Sequence, residues 1–101
     1  MLYTALHHAR EPNSASQLIF YMWYLLENYD TRPDIQALVN NLEMYFVPCI
    51  NVDGYLYNEE TNPEGGGYWR KNRRDNLDGS FGIDLNRNYG YFWGDFGGSS
   101  P

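Results

Sequence analysis

Cysteine is nearly absent from this sequence: Cys49 is the only one in 101 residues. No internal disulfide can form, so the chain must be held by packing and hydrogen bonds. Bases are also few, seven against thirteen acids, for a net charge of −6. That balance argues against nucleic acid and against an anionic membrane surface as partners. No signal-peptide pattern follows Met1, and no apolar run is long enough to span a bilayer. What is plentiful is aromatic surface, with ten Tyr and three Trp, which excludes a disordered chain. The length suits one small domain with a modest core, and neither an internal repeat nor a domain boundary is visible.

Residues 2–7 read as a short apolar strand. Ala15, Leu18, Ile19, Met22, Leu25, Leu26 and Tyr29 then recur at helical spacing, which predicts a helix over residues 14–29. Asn13 or Ser14 is the expected N-cap. The opposite face carries Phe20, Tyr21, Trp23 and Tyr24, so this helix is apolar nearly all round and needs covering on more than one side. Pro33 and Asp34 open a second helix through about Asn41. Residues 44–50 predict a strand apolar on both faces, as in a buried parallel sheet, with Pro48 interrupting or ending its pairing. Strand, helix, helix, strand is a parallel βαβ unit, right-handed by default, so the fold class is α/β. Asn51-Val52-Asp53-Gly54 reads as a turn, and residues 55–80 show no sustained period. A long loop dense in chemistry is more often functional than filler.

The chemistry centres on His7-His8-Ala9-Arg10-Glu11. Zinc takes imidazole nitrogen and carboxylate oxygen, commonly from three protein ligands plus a water. A His-x-x-Glu segment supplies two such ligands when a strand end turns into a helix start. By spacing His8 pairs with Glu11, and His7 is its neighbour. Alone the pattern is weak, because an acid near a helix N-terminus is favoured by the helix dipole in any case. Five of the seven bases lie between Arg70 and Arg87, a local cluster that suits one anionic group rather than a polyanion. Cys49 lies inside an apolar strand and reads as a small buried residue, not a nucleophile.

Four stretches stand in one order: His8-Ala9-Arg10-Glu11, Asn51-Val52-Asp53-Gly54, Trp69-Arg70-Lys71-Asn72-Arg73 and Asp84-Leu85-Asn86-Arg87-Asn88, followed by Gly98-Ser99-Ser100-Pro101. In this the chain resembles the zinc carboxypeptidases of the carboxypeptidase A and T type, over nearly its whole length. The fine wording looks closest to bacterial carboxypeptidase T-like members. Val52 departs from the proline usual in the family's turn.

The resemblance implies a zinc-dependent metallocarboxypeptidase that removes C-terminal residues from peptides. His8 and Glu11 would be metal ligands, the His₂Glu set being a known property of carboxypeptidase A and not a reading of this sequence. Arg70 would steady the oxyanion, Asn86 and Arg87 would grip the substrate's terminal carboxylate, and Arg10 would serve a neighbouring subsite. The third zinc ligand, a capping Tyr and the catalytic Glu would lie beyond Pro101. Residues 1–101 are therefore expected to be a partial catalytic domain, with N-terminal strands and the C-terminal half missing, in a larger mixed sheet with helices on both faces. The resemblance also implies a secreted or extracellular parent. Two other readings stay open: an aspartoacylase-like zinc amidohydrolase, and a non-catalytic peptide-binding relative.

Overall fold

The computed structural model describes residues 1–91 and 93. Strand β1, Leu2–Thr4, is followed by helix α1, Asn13–Asn28, and helix α2, Pro33–Asn41. Strand β2, Tyr45–Val47, then pairs in parallel with β1, with Leu2 opposite Tyr45, Tyr3 opposite Phe46 and Thr4 opposite Val47. This is the parallel βαβ arrangement that the apolar periodicity predicts. Both strands are shorter than their apolar runs. Pro48 lies just beyond β2, where its missing N–H interrupts no ladder bond.

Aromatic rings join α1 to the sheet. Tyr3 stacks on Phe46 with centroids 5.1 Å apart, and Tyr21 of α1 leans on both, at 5.5 and 6.2 Å. Leu18 and Leu25 of α1 and Ile35 of α2 are buried, together with Ala5, Leu6 and Ala9 beyond β1. The outer face of α1 is a different matter. Phe20 and Trp23 are 58% and 54% exposed, as a helix apolar nearly all round would be when covered on one side only, and the covered face is rotated from the expected stripe: Ile19 and Leu26 are exposed while Tyr21 packs on the sheet. β2 departs from expectation in the same way: Tyr45 and Val47 are exposed rather than buried.

Two local expectations are corrected. Neither Asn13 nor Ser14 caps α1. Its N-cap is Pro12 with no side-chain bond, and Ser14 Oγ instead donates to Glu11 O at 2.8 Å and accepts from Leu6 N at 3.0 Å. The expected turn at Asn51–Gly54 is instead the start of a third helix, α3, Val52–Thr61, with Asn51 as N-cap. That helix buries only Gly54 and Asn58, so it has no apolar stripe for a periodicity to reveal.

Candidate metal and substrate site

The chain after β1 must reverse before it reaches the histidines. Leu6 does this with φ +53, a left-handed conformation that costs a side chain about 1–2 kcal/mol. Two bonds hold it there: Leu6 N to Ser14 Oγ, and Asn51 N to Leu6 O at 2.9 Å. Glu11 N then donates to His8 O at 3.0 Å, closing a tight turn that puts side chains three residues apart on one side.

Asn51 is the staple of the site. Only 1% exposed, it caps α3 through Gly54 N at 3.1 Å and donates Nδ2 to His7 O at 3.0 Å and Arg70 O at 3.3 Å. Arg70 O also accepts from Ala9 N at 3.0 Å. One amide thus ties the histidine segment, the start of α3 and the arginine loop together. Gly54 allows the approach: a Cβ there would lie 2.4 Å from Lys71 O and 2.8 Å from Ala9 Cβ. Further along α3, Asn58 clamps the Trp69 backbone on both sides, accepting from its N–H and donating to its carbonyl at 2.9 Å each.

The result is a compact polar cluster. His8 Nδ1 lies 3.0 Å from Glu11 Oε2, and His8 Nε2 lies 3.2 Å from Asp84 Oδ1. Asp84 takes the Arg70 guanidinium on its other oxygen, with Nε and Nη2 both at 2.9 Å from Oδ2. Arg70 Nη1 faces Glu11 Oε1 at 3.9 Å. His8 and Asp84 are buried, and Glu11 is open to solvent. Burial alone would raise the Asp84 carboxyl, but the Arg70 hydrogen bond, the Asn86 N–H and the nearby charges outweigh it and hold Asp84 below the usual carboxylate range.

The donor set fits a zinc ion. Two ligand atoms about 2.0–2.1 Å from one zinc, in tetrahedral geometry, sit roughly 3.3 Å apart. The 3.0 Å between His8 Nδ1 and Glu11 Oε2 is close to that separation. With a metal bound, an Nε2–H donated to the Asp84 carboxylate would leave Nδ1 as the ligating nitrogen on the Glu11 side. Among the described residues no group of three His, Cys, Asp or Glu is arranged to hold a metal alone.

Of the residues singled out from sequence, the fold brings His8, Glu11 and Arg70 together. Asn86 and Arg87 follow Asp84 in a 3-10 turn, Leu85–Arg87, capped by Asp84 Oδ1 on Asn86 N at 3.0 Å, and their side chains are exposed. Arg10 is exposed and borders a cavity of about 180 Å³ lined also by Pro12, Tyr55, Asn58 and Glu59. His7 is not in the cluster, since its Nε2 contacts the Tyr89 hydroxyl. The bases of residues 70–87 do not form one anion patch: Arg70 pairs with Asp84, and Arg73 lies over aromatic rings. Burial pushes the Cys49 thiol up, in keeping with an unreactive side chain. The Gly98-Ser99-Ser100-Pro101 stretch lies outside the described residues.

Asp84 is the residue that sequence reading undervalued. Its signal was present: an aspartate directly before Leu-Asn-Arg, which in isolation reads as a turn cap with a salt bridge. Asn51 and Asn58 gave no signal beyond their polarity, because their roles rest on backbone groups far away in sequence.

Comparison with known proteins identifies the family of the chain. The zinc carboxypeptidase family profile matches residues 1–101. An inactive metallocarboxypeptidase of Sclerotinia sclerotiorum is 39% identical over 93% of the chain, which spans 15% of that protein. Carboxypeptidase O of Bos taurus is 37% identical over 91% of the chain and 24% of its own length. Metallocarboxypeptidase A of Trichophyton tonsurans is 37% identical over 92% of the chain and 21% of its own length. The crystal structure of thrombin activatable fibrinolysis inhibitor superposes with a TM-score of 0.76 at 30% identity, covering 89% of this chain and 22% of that one. The chain thus spans a quarter or less of the relatives it matches. It belongs to the zinc carboxypeptidase family.

Proposed function

We propose that the protein carrying this chain is a zinc-dependent carboxypeptidase that shortens peptides from their C-terminus. The observation that supports this best is the His8–Glu11–Arg70–Asp84 cluster, in which two zinc-type donor atoms sit 3.0 Å apart beside a guanidinium. Zinc held by His8 and Glu11, with a third ligand from elsewhere in the protein, would supply a Lewis acid and an activated water at neutral pH. Asp84 fixes the His8 tautomer and ring orientation. Arg70 has Nε and Nη2 engaged by Asp84, and Nη1, on the Glu11 side, is our assignment for meeting negative charge developing on the scissile carbonyl. Asn86 and Arg87, exposed on the turn after Asp84, are our assignment for the grip on the substrate's terminal carboxylate, which Arg recognises with a planar fork of donors. Arg10, on the far side of Ala9, is our assignment for an adjoining subsite.

In this reading residues 1–101 are part of a larger catalytic domain, which the exposed aromatic face of α1 supports. A secreted or extracellular parent is proposed on the family resemblance. A closest likeness to bacterial carboxypeptidase T rests on motif wording only, since the relatives named above are fungal and mammalian. The deciding experiment compares the full-length protein on a peptide with a free C-terminus and on its C-terminal amide. Hydrolysis of the acid alone is expected; equal hydrolysis of the amide would remove the carboxylate grip and the exopeptidase reading with it. The relative named as inactive keeps a second reading in view, a peptide-binding protein without turnover. Binding of the free-acid peptide with no hydrolysis would select it.

A further inference from the structure

Arg73 has no part in the chemistry proposed above, yet it is surrounded by rings. Its guanidinium carbon lies 3.8 Å from the centre of the Tyr57 ring, 4.4 Å from Trp69 and 4.8 Å from Phe81. The Tyr57 and Trp69 rings meet edge to face, 5.3 Å apart at 67°. The three rings come from three segments: α3, the loop that carries Arg70, and the strand-like stretch leading to Asp84.

Those segments are the ones that build the Arg70–Asp84 pair. Trp69 immediately precedes Arg70, and Phe81 stands three residues before Asp84. Two backbone bonds run alongside the cage, Gly82 N to Arg74 O at 2.8 Å and Asn72 N to Ile83 O at 3.2 Å, and the Asn72 side chain adds a third by accepting from Ile83 N at 2.7 Å. Gly82 reinforces the close fit, because a Cβ there would lie 2.6 Å from Asn72 O and 3.0 Å from the Trp69 ring. The backbone bonds fix which residues of the two segments lie opposite each other. The cage fixes how both lie against α3, and α3 is already tied to the histidine segment through Asn51.

We infer that Arg73 is a positioning residue, a cation clasped by Tyr57, Trp69 and Phe81 that sets the placement of Arg70 and Asp84 against His8. A flat, always-charged guanidinium is suited to face several rings at once, whereas lysine offers a compact point charge without a plane. The functional consequence rests on the role proposed for Arg70. The structural consequence does not, because the bond from Arg70 Nε–H to Asp84 can be observed directly.

The test uses the full-length protein with Arg73→Met, which keeps bulk and loses charge, and Arg73→Lys, which keeps charge and loses the plane. NMR hydrogen exchange at the Arg70 Nε–H reads the pair with Asp84, and steady-state kinetics on a free-acid peptide read its use. Arg73→Met is expected to speed that exchange at least about tenfold and to lower kcat on the order of 10–100-fold, the scale of a small misplacement of a catalytic group, with KM little changed. Arg73→Lys should recover part of both. Should Arg73→Met fail to fold, Phe81→Leu removes one wall of the cage and is expected to shift both readouts in the same direction by less. A lowered Tm with Arg70 Nε–H exchange and kcat per folded molecule both unchanged would overturn the inference, leaving Arg73 a stability element only. If the wild type shows no peptide hydrolysis, the proposed function fails, while the exchange measurement still decides the positioning role.

Discussion

His8 Nε2 and Asp84 Oδ1 stand 3.2 Å apart although they are 76 positions apart in sequence, and this contact holds one edge of the imidazole. In the proposed zinc-bound state Nε2–H would donate to Asp84 and Nδ1, on the Glu11 side, would take the metal. Asp84→Asn or Asp84→Ala should weaken zinc binding in the full-length protein by about 10–100-fold, the usual cost of losing an outer partner of a metal-bound histidine. A competition titration against a chelating dye checks this. Unchanged affinity in both variants would mean that Asp84 serves Arg70 rather than His8.

Arg70 and Arg87 should separate in kinetics. In the role proposed for it, Arg70 is a donor whose contact strengthens as charge develops, so the loss expected for Arg70→Ala is in kcat, roughly 3–4 kcal/mol or 10²–10³-fold. If Arg87 grips the terminal carboxylate as proposed, Arg87→Ala removes a contact made equally in the ground state, and the expected change is a higher KM for substrates with a free terminus. Steady-state rates on one free-acid peptide suffice. A pure KM effect at Arg70 would reassign the oxyanion role to another residue.

The βαβ unit was legible because its information is local and apolar. The spacing from Ala15 to Tyr29 marks α1, Pro33 marks α2, and the apolar run over residues 44–50 marks β2. α3 was not legible, because it packs through Gly54 and Asn58 and offers no hydrophobic period. The exposure of Tyr45 and Val47 was also missed, since an apolar sequence shows what a strand prefers to bury and not what is present to bury it. The site followed the same division. His8 and Glu11 lie three residues apart, and a short-range spacing reports them. Asp84 reaches His8 through tertiary structure, and the aromatic partners of Arg73 come from residues 57, 69 and 81.

Gly54 should tolerate no side chain. The Cβ of Gly54→Ala would sit 2.4 Å from a backbone oxygen, Lys71 O, and 2.7 Å from Asn51 Oδ1, whose buried amide is held by three hydrogen bonds. Relief requires α3 to move away from the histidine segment. Overpacking of this kind costs about 1–3 kcal/mol, and here it should lower zinc affinity as well. Urea unfolding and a zinc titration on the same variant measure the two effects. Loss of stability with zinc affinity intact would show that α3 and the His8 turn are not mechanically linked.

Asn51 offers the sharpest test of how the site is held. Its side chain makes three hydrogen bonds, to Gly54 N, His7 O and Arg70 O, from a position 1% exposed. Asn51→Leu keeps approximate bulk and removes all three, leaving buried backbone groups short of partners. Arg70 O retains its bond from Ala9 N, so its loss is partial. Gly54 N and His7 O lose the partners named here. At about 1–3 kcal/mol for a buried polar group left unsatisfied, the expected destabilisation is roughly 2–4 kcal/mol. Asn51→Asp is the informative companion. It keeps the acceptor for Gly54 N at the head of α3, where a negative charge is favoured, but turns both donor contacts into an approach of oxygen to carbonyl oxygen. If capping α3 is the main role, Asp should recover most of the stability in urea unfolding. If joining the His7 and Arg70 segments is the main role, Asp should be as damaging as Leu. The structure assigns two of the three bonds to that joining, so the second outcome is expected, together with weakened zinc binding in both variants.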